Sequence, residues 1–168
     1  MKKKEKPVIS IVMGSNSDVS VMEEASSLLK EFGIAHEMVL TSAHRSPERT
    51  TAFAGKAESR GIRIIIAGAG AAAHLAGVIA SQTALPVIGV PIESSPIKGL
   101  DALLSTVQMP GGVPVATMAL GKAGAKNAAL MAVRILALED GALKKKLAAY
   151  RKTLAENIQK DQERLDAR

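Results

Sequence analysis

The sequence predicts an α/β protein built on a three-layer parallel sheet. Three observations carry that expectation. Short β-branched runs alternate with longer stretches of helical periodicity, as right-handed βαβ crossovers require. The strongest runs are apolar throughout and do not alternate, which marks strands buried on both faces. The 168 residues show no linker, low-complexity block or internal repeat, and suffice for one full core. The expected architecture is a flavodoxin-like or Rossmann-like single domain, residues 1–168, with an extra C-terminal helix.

The elements follow in order. PVISIVM (Pro7 to Met13) is a compact β-branched strand. After GSNSD, apolar residues at Val19, Met22, Ala25, Leu29 and Phe32 outline a helix that Gly33 stops. IAHEMVL (Ile34 to Leu40) is the second strand, and its helix runs from about Pro47 to Arg60, closed by Gly61. Ser46 suits a helix cap there, and Pro47 its first turn. IRIIIA (Ile62 to Ala67) is the clearest strand, followed by the small-residue loop GAGAAAHLAG and a helix to about Gln82. PVIGVP (Pro86 to Pro91) is the fourth strand, GLDALLSTVQ a short helix, and PVATMAL the fifth strand after the turn PGG. AALMAVRILAL is apolar nearly all round, with Arg134 its single charge, so that helix is either covered internally or meets another subunit. A charged helix from about Leu143 to Asp166 closes the chain and can reach a neighbouring subunit.

Composition removes several function classes. Cysteine is absent, which excludes disulfides, thiolate metal sites and a cysteine nucleophile. Aromatic residues are only 2%, against the stacking platforms that bind single-stranded nucleic acid. The formal charge of +6 is concentrated in the basic tail of residues 1–6 and in the last helix, as solvated ends rather than a nucleic-acid surface. The lysine-rich start leads into a strand and not into an apolar signal segment, and no apolar run nears the ~20 residues that span a bilayer. A cytoplasmic protein with no membrane partner is expected.

The alternation places three loops at the carboxyl ends of the first three strands, the edge at which open α/β sheets bind ligands. GSNSD offers Ser15, Ser17 and Asp18 at a helix N-terminus, where free N–H groups and the helix dipole favour a phosphate. The same residues serve equally for capping by Ser17 or Asp18, and an aspartate there can instead accept from ribose hydroxyls. SAHRSP supplies Ser42, a cation in Arg45, and in His44 the side-chain type whose unperturbed pKa of ~6.5 suits proton transfer near neutrality. His44 can also be a plain surface residue; His36 sits inside the strand pattern and is structural. Gly68 to Ala73 fits the G-x-G-x-x-G/A dinucleotide fingerprint, with Glu93 about twenty positions on. The motif follows the third strand and not the first, so it better suits a loop that brings bare backbone, at Gly70 and Ala71, close to a flat ligand, with His74 at its end.

GSNSD, SAHRSP, AGAGAAAHLAG, LPVIGVP, LLSTVQMPGGVPVAT and GKAGAKNAAL, in this order and spacing, resemble the N5-carboxyaminoimidazole ribonucleotide mutases of bacterial purine synthesis over about Val8 to Leu138. The resemblance implies an isomerase that moves a carboxylate from the exocyclic nitrogen of the aminoimidazole ribonucleotide to ring carbon 4, with no metal and no organic cofactor. It implies a homo-octamer with active sites at subunit contacts. It places the catalytic histidine at His44 and the ribonucleotide contacts at Ser15, Asp18 and Arg45, with Ser42 in the phosphate region. By inference, Ser17, Gly70, Ala71 and His74 join them along the pocket wall. The family commonly reads GAGGAAHLPG, so Ala71 or Ala72 stands where glycine is usual and Ala76 where proline is; an added methyl would shift the loop, and the lost proline would loosen the turn. Related carboxylases that use free CO₂ are the alternative within this superfamily. A dinucleotide-dependent oxidoreductase and a non-catalytic nucleotide-binding module are the alternatives outside it.

Overall fold

The computed structural model describes residues 6–168. Most of the basic tail, residues 1–5, lies outside the described residues. The chain resolves into two compact units, one ending at Ala132 and the other Val133–Arg168.

The first unit holds a five-stranded sheet: β1 (Ile9–Met13), β2 (His36–Leu40), β3 (Ile64–Gly70), β4 (Val87–Ile92) and β5 (Ala116–Thr117). Every pairing is parallel and the order is β2-β1-β3-β4-β5. β1 is interior, flanked by β2 and β3, and all five of its residues are buried; β2 lies at the edge, where Met38 and Leu40 are partly exposed. In register, Ile9 stands opposite His36 and Ile64, and Met13 opposite Leu40 and Gly68. The carboxyl ends of the first three strands therefore align at one edge.

The intervening helices are α1 (Val19–Phe32), α2 (Pro47–Ala57), α3 (Leu75–Ala80), α4 (Leu100–Val107) and α5 (Gly121–Leu136), the last of which begins in this unit. On one face of the sheet, Val12, Ile65 and Ala67 pack with Ala54 and Ala57 of α2 and with Leu75, Ala76 and Ile79 of α3. α4 covers the same face, since Thr106 closes over Gly89 beside Ala76. α1 takes the other face, with Met22 against Gly68, and Glu24 ties it to α5 through Lys122 and Lys126 at 3.5 and 3.2 Å. Ile64, Ile65 and Ile66 are at most 1% exposed; each contributes about 1.5–3 kcal/mol by leaving water.

Four boundaries differ from expectation, each for a physical reason. β3 continues through Ala69 and Gly70, which pair with Pro91 and Ile92, so the first three residues of the small-residue loop are sheet. The dinucleotide fingerprint fails on this point: its first glycine must turn the chain, whereas Gly68 stays paired with Val90 and Met13. Gly68 is glycine for packing, because a Cβ would lie 2.4 Å from Met22 Sδ. β5 shrinks to two residues, since Pro114 has no N–H to donate and the pairing ends once the Met118 N–H has reached the Gly89 carbonyl at 2.8 Å. α3 stops at Ala80, where the Ser81 hydroxyl donates to the Val78 carbonyl and the Gln82 N–H turns to the Ile79 carbonyl three residues back.

The fourth difference lies in the second unit. Its long helix α6 (Gly141–Asp166) starts before Leu143, because the Asp140 carboxylate accepts from the N–H groups of Ala142 and Leu143 at 2.8 and 3.1 Å. No residue of α6 is buried. Leu143, Leu147, Tyr150, Leu154, Ile158 and Leu165 fall within an arc of about 80° on the helical wheel, a narrow apolar stripe on a charged rod. The α5 segment read as apolar all round buries Ala128, Ala129, Ala132, Val133, Leu136 and Ala137, and exposes Met131 and Leu138.

Candidate functional site

The first loop leaves β1 at Gly14. Ser15 is the cap of a 3₁₀ turn, Asn16–Asp18, in place of the capping expected from Ser17 or Asp18. Its backbone N–H donates to Asp18 Oδ2 at 3.0 Å, and its hydroxyl accepts from Ser17 N–H at 3.4 Å and from Ser17 Oγ at 2.9 Å. Asp18 is only 3% exposed. Burial pushes its carboxyl above the ordinary value; the Ser15 N–H, the Ser17 hydroxyl and the Arg45 guanidinium each pull it back.

The second loop leaves β2 at Thr41. Ser46 occupies the cap position of α2 without capping it. Its hydroxyl instead accepts from the Ser42 N–H at 3.0 Å, closing the loop on itself. Ser42 Oγ accepts from the Arg45 N–H at 3.1 Å and lies 3.5 Å from Arg45 Nε. Arg45 Nη2 donates to the Gly14 carbonyl at 2.7 Å, which locks the second loop to the first. His36 lies apart from all of this: its ring bonds Ser26 Oγ at 2.7 Å and the Ile34 carbonyl at 2.8 Å.

The third loop begins where β3 ends. Ala71 takes φ +52°, the left-handed region that favours glycine, and this swings the chain so that His74 faces His44. His44 Nε2 and His74 Nδ1 are 2.8 Å apart, with the rings edge to face at 87°. One proton joins the two imidazoles, so the bond fixes the tautomer of each relative to the other.

Together the loops enclose a pocket of about 340 Å³. Ser15, Ser17, Asp18, Ser42, His44, Arg45, Gly70 and His74 all line it. Ala71 does not; Ala72 presents its methyl there. Glu93 lies in a neighbouring hollow instead. The sequence reading missed Gly14, Ala43, Ala69, Leu75 and Ser94, which complete the wall. Ser94 had a usable signal, its position just beyond the fourth strand at the same edge. Gly70 makes room for it: a Cβ there would stand 2.0 Å from Ser94 Oγ. Among the described residues no three His, Asp or Glu side chains converge as metal ligands, and no helix is long and apolar enough to cross a membrane.

The pocket combines two chemistries. Arg45, the hydroxyls and the turn N–H groups suit a phosphate with its ribose. The two imidazoles offer proton donation and acceptance.

Comparisons with known proteins agree with one another. A family model described as AIR carboxylase matches residues 8–157. The N5-carboxyaminoimidazole ribonucleotide mutase of Pyrococcus horikoshii is 55% identical over 164 residues, 98% of this chain and 92% of that one. The mutase of Bacillus subtilis is 48% identical over 159 residues, 95% of this chain and 98% of that one. The crystal structure of Treponema denticola PurE superposes with a TM-score of 0.85 at 31% identity, covering 95% of this chain and 98% of that chain. By these matches the chain belongs to the AIR carboxylase family, among the members named N5-carboxyaminoimidazole ribonucleotide mutase.

Proposed function

We propose that this protein is an isomerase of purine biosynthesis that converts N5-carboxyaminoimidazole ribonucleotide to 4-carboxy-5-aminoimidazole ribonucleotide. The observation that carries the reading is the His44–His74 pair across one pocket from Arg45 and Asp18, in a chain 55% identical to a named mutase.

The substrate's N-carboxylate is a carbamate, which breaks its N–C bond and releases CO₂ once the nitrogen gains a proton. The enamine carbon 4 of the ring then attacks the carbon of CO₂. Removal of the hydrogen from carbon 4 restores the aromatic ring. One proton enters and one leaves, so a single acid–base group is sufficient, and His44 fills that role. Arg45, Ser15, Ser17, Ser42 and Asp18 hold the ribose phosphate and set the distance from ring to imidazole. The wall of Gly70, Ala72 and Ala69 keeps CO₂ beside its acceptor, where proximity replaces a bimolecular encounter.

The working form is proposed to be a homo-octamer in which the whole chain acts as one catalytic domain and α6 packs on a neighbouring subunit. Its apolar stripe and the exposed Ile97, Leu100, Leu104 and Val107 at α4 support an assembly of copies. A cytoplasmic site of action follows from the substrate, a charged ribonucleotide that does not cross membranes. The carboxylase reading, free CO₂ added to the uncarboxylated ribonucleotide, is kept because the matching family model bears that description.

The test supplies purified protein with N5-carboxyaminoimidazole ribonucleotide, and in parallel with aminoimidazole ribonucleotide plus bicarbonate, following product absorbance. Conversion of the first substrate only, falling by at least about 10²-fold in His44→Asn, is the expected result. Conversion of the second alone moves the protein to the carboxylases.

A further inference from the structure

We propose that Thr50, in the first turn of α2, is a positioning residue for His44 and Arg45; the inference rests on the roles just given to those two side chains. Thr50 is 0% exposed and lies outside the pocket lining. Its hydroxyl donates to the Ser46 carbonyl at 3.2 Å, which commits its single proton. The 2.9 Å contact to Thr41 Oγ1 is therefore a bond that Thr41 donates. Thr41, 3% exposed at the end of β2, lies 3.3 Å from Ser46 Oγ, which in turn accepts from the Ser42 N–H.

Ser46 Oγ takes the Ser42 N–H and gives its own proton back to the Ser42 carbonyl at 3.2 Å, Thr41 gives to Thr50, and Thr50 gives to the Ser46 carbonyl. These bonds join the last residue of the strand side, the first turn of the helix, and both ends of the segment 42–46. His44 and Arg45 stand inside that clasp with exposed side chains, held only at their tips by His74 and by the Gly14 carbonyl. The clasp fixes their backbone, and through Ser42 Oγ it also fixes the direction in which Arg45 leaves the loop.

Thr50→Val keeps the volume and removes the hydroxyl. Thr41 then loses its acceptor and turns its proton toward Ser46 Oγ, which breaks the side-chain link from strand end to helix. The experiment compares Thr50→Val, Thr50→Ser, His44→Asn and a stability control, Ile65→Val, which trims a fully buried side chain of the sheet. Rates on N5-carboxyaminoimidazole ribonucleotide are read well below each variant's Tm, and the imidazole resonances of His44 are read by NMR. Thr50→Val is expected to lose on the order of tenfold in kcat/KM and to shift the His44 resonances, as a sub-ångström misplacement would. Thr50→Ser restores both, and Ile65→Val lowers Tm alone. Wild-type kcat/KM and unshifted His44 resonances in Thr50→Val overturn the proposal, as does a loss that Ile65→Val reproduces. Unchanged turnover in His44→Asn sinks the functional reading instead, and the NMR arm still decides the placement.

Discussion

Ala71 is, with Lys98, one of two described non-glycine residues whose backbone carries a visible conformational cost. Its φ of +52° lies in the left-handed region, which costs an L-residue with a Cβ roughly 1–2 kcal/mol. Glycine removes that cost, but gives the unfolded chain extra freedom worth about 0.4–1 kcal/mol. The balance for Ala71→Gly is a gain of about 0.5–1 kcal/mol. For a domain of this size that raises Tm by about 2 °C. Ala72 is the matched control: it is the next residue in the same loop, and its φ is not positive. Ala72→Gly pays the entropy without relief and should lower Tm by a similar amount. Differential scanning calorimetry at one fixed protein concentration reads both, which keeps any assembly equilibrium constant. Should Ala72→Gly stabilise while Ala71→Gly destabilises, the assignment of strain to Ala71 is refuted.

Three further outcomes are expected. Asp18→Asn should raise Tm at neutral pH while lowering activity, because the buried carboxyl resists ionisation and Asn keeps an acceptor for the Ser15 N–H. A carboxyl raised above its unfolded value stabilises the fold when protonated and loses that contribution as pH rises through its folded value; thermal melts across pH should therefore show the variant's advantage vanish below the ordinary 3.8. Arg45→Met removes the charge-assisted contact proposed for the phosphate, worth about 1.5–3 kcal/mol, so initial rates should show KM rising roughly 10- to 100-fold. Gly70→Ala should cost about 1–3 kcal/mol through overpacking against Ser94 Oγ at 2.0 Å. Adding Ser94→Ala should recover part of it in a double-mutant cycle, since the Ile92 carbonyl at 2.9 Å still obstructs the new methyl.

Strand order aside, the architecture was legible because β-branched runs and helical periods report local geometry. PVISIVM and IRIIIA read as buried strands and became β1 and β3. SAHR read as a loop at the end of a strand, and it is one. What escaped were features set by distant contacts. The His44–His74 bond spans thirty positions and depends on where β3 stops and Ala71 turns. The extension of β3 through Gly70 was hidden because glycine reads as a loop former, whereas here it answers to Met22 and Ser94. Ser46 looked like a helix cap, yet its hydroxyl found a better partner in the Ser42 N–H. Ala71 was grouped with the pocket by adjacency; its left-handed turn sends Ala72 inward instead.

A fully parallel sheet also creates a place where the protein can be edited. The connections that return to the start of each strand collect at the edge opposite the pocket, among them the turns at Gly33 and Gly61, whose φ values of +72° and +93° end their helices. Beyond Gly61, β3 runs from Ile64 to the pocket wall at Ala69, a span of about 16 Å. A Cβ at Gly61 would meet nothing within 4 Å, so this corner is open to added chain. A peptide tag or small domain spliced in there would be carried by the molecule without entering the pocket.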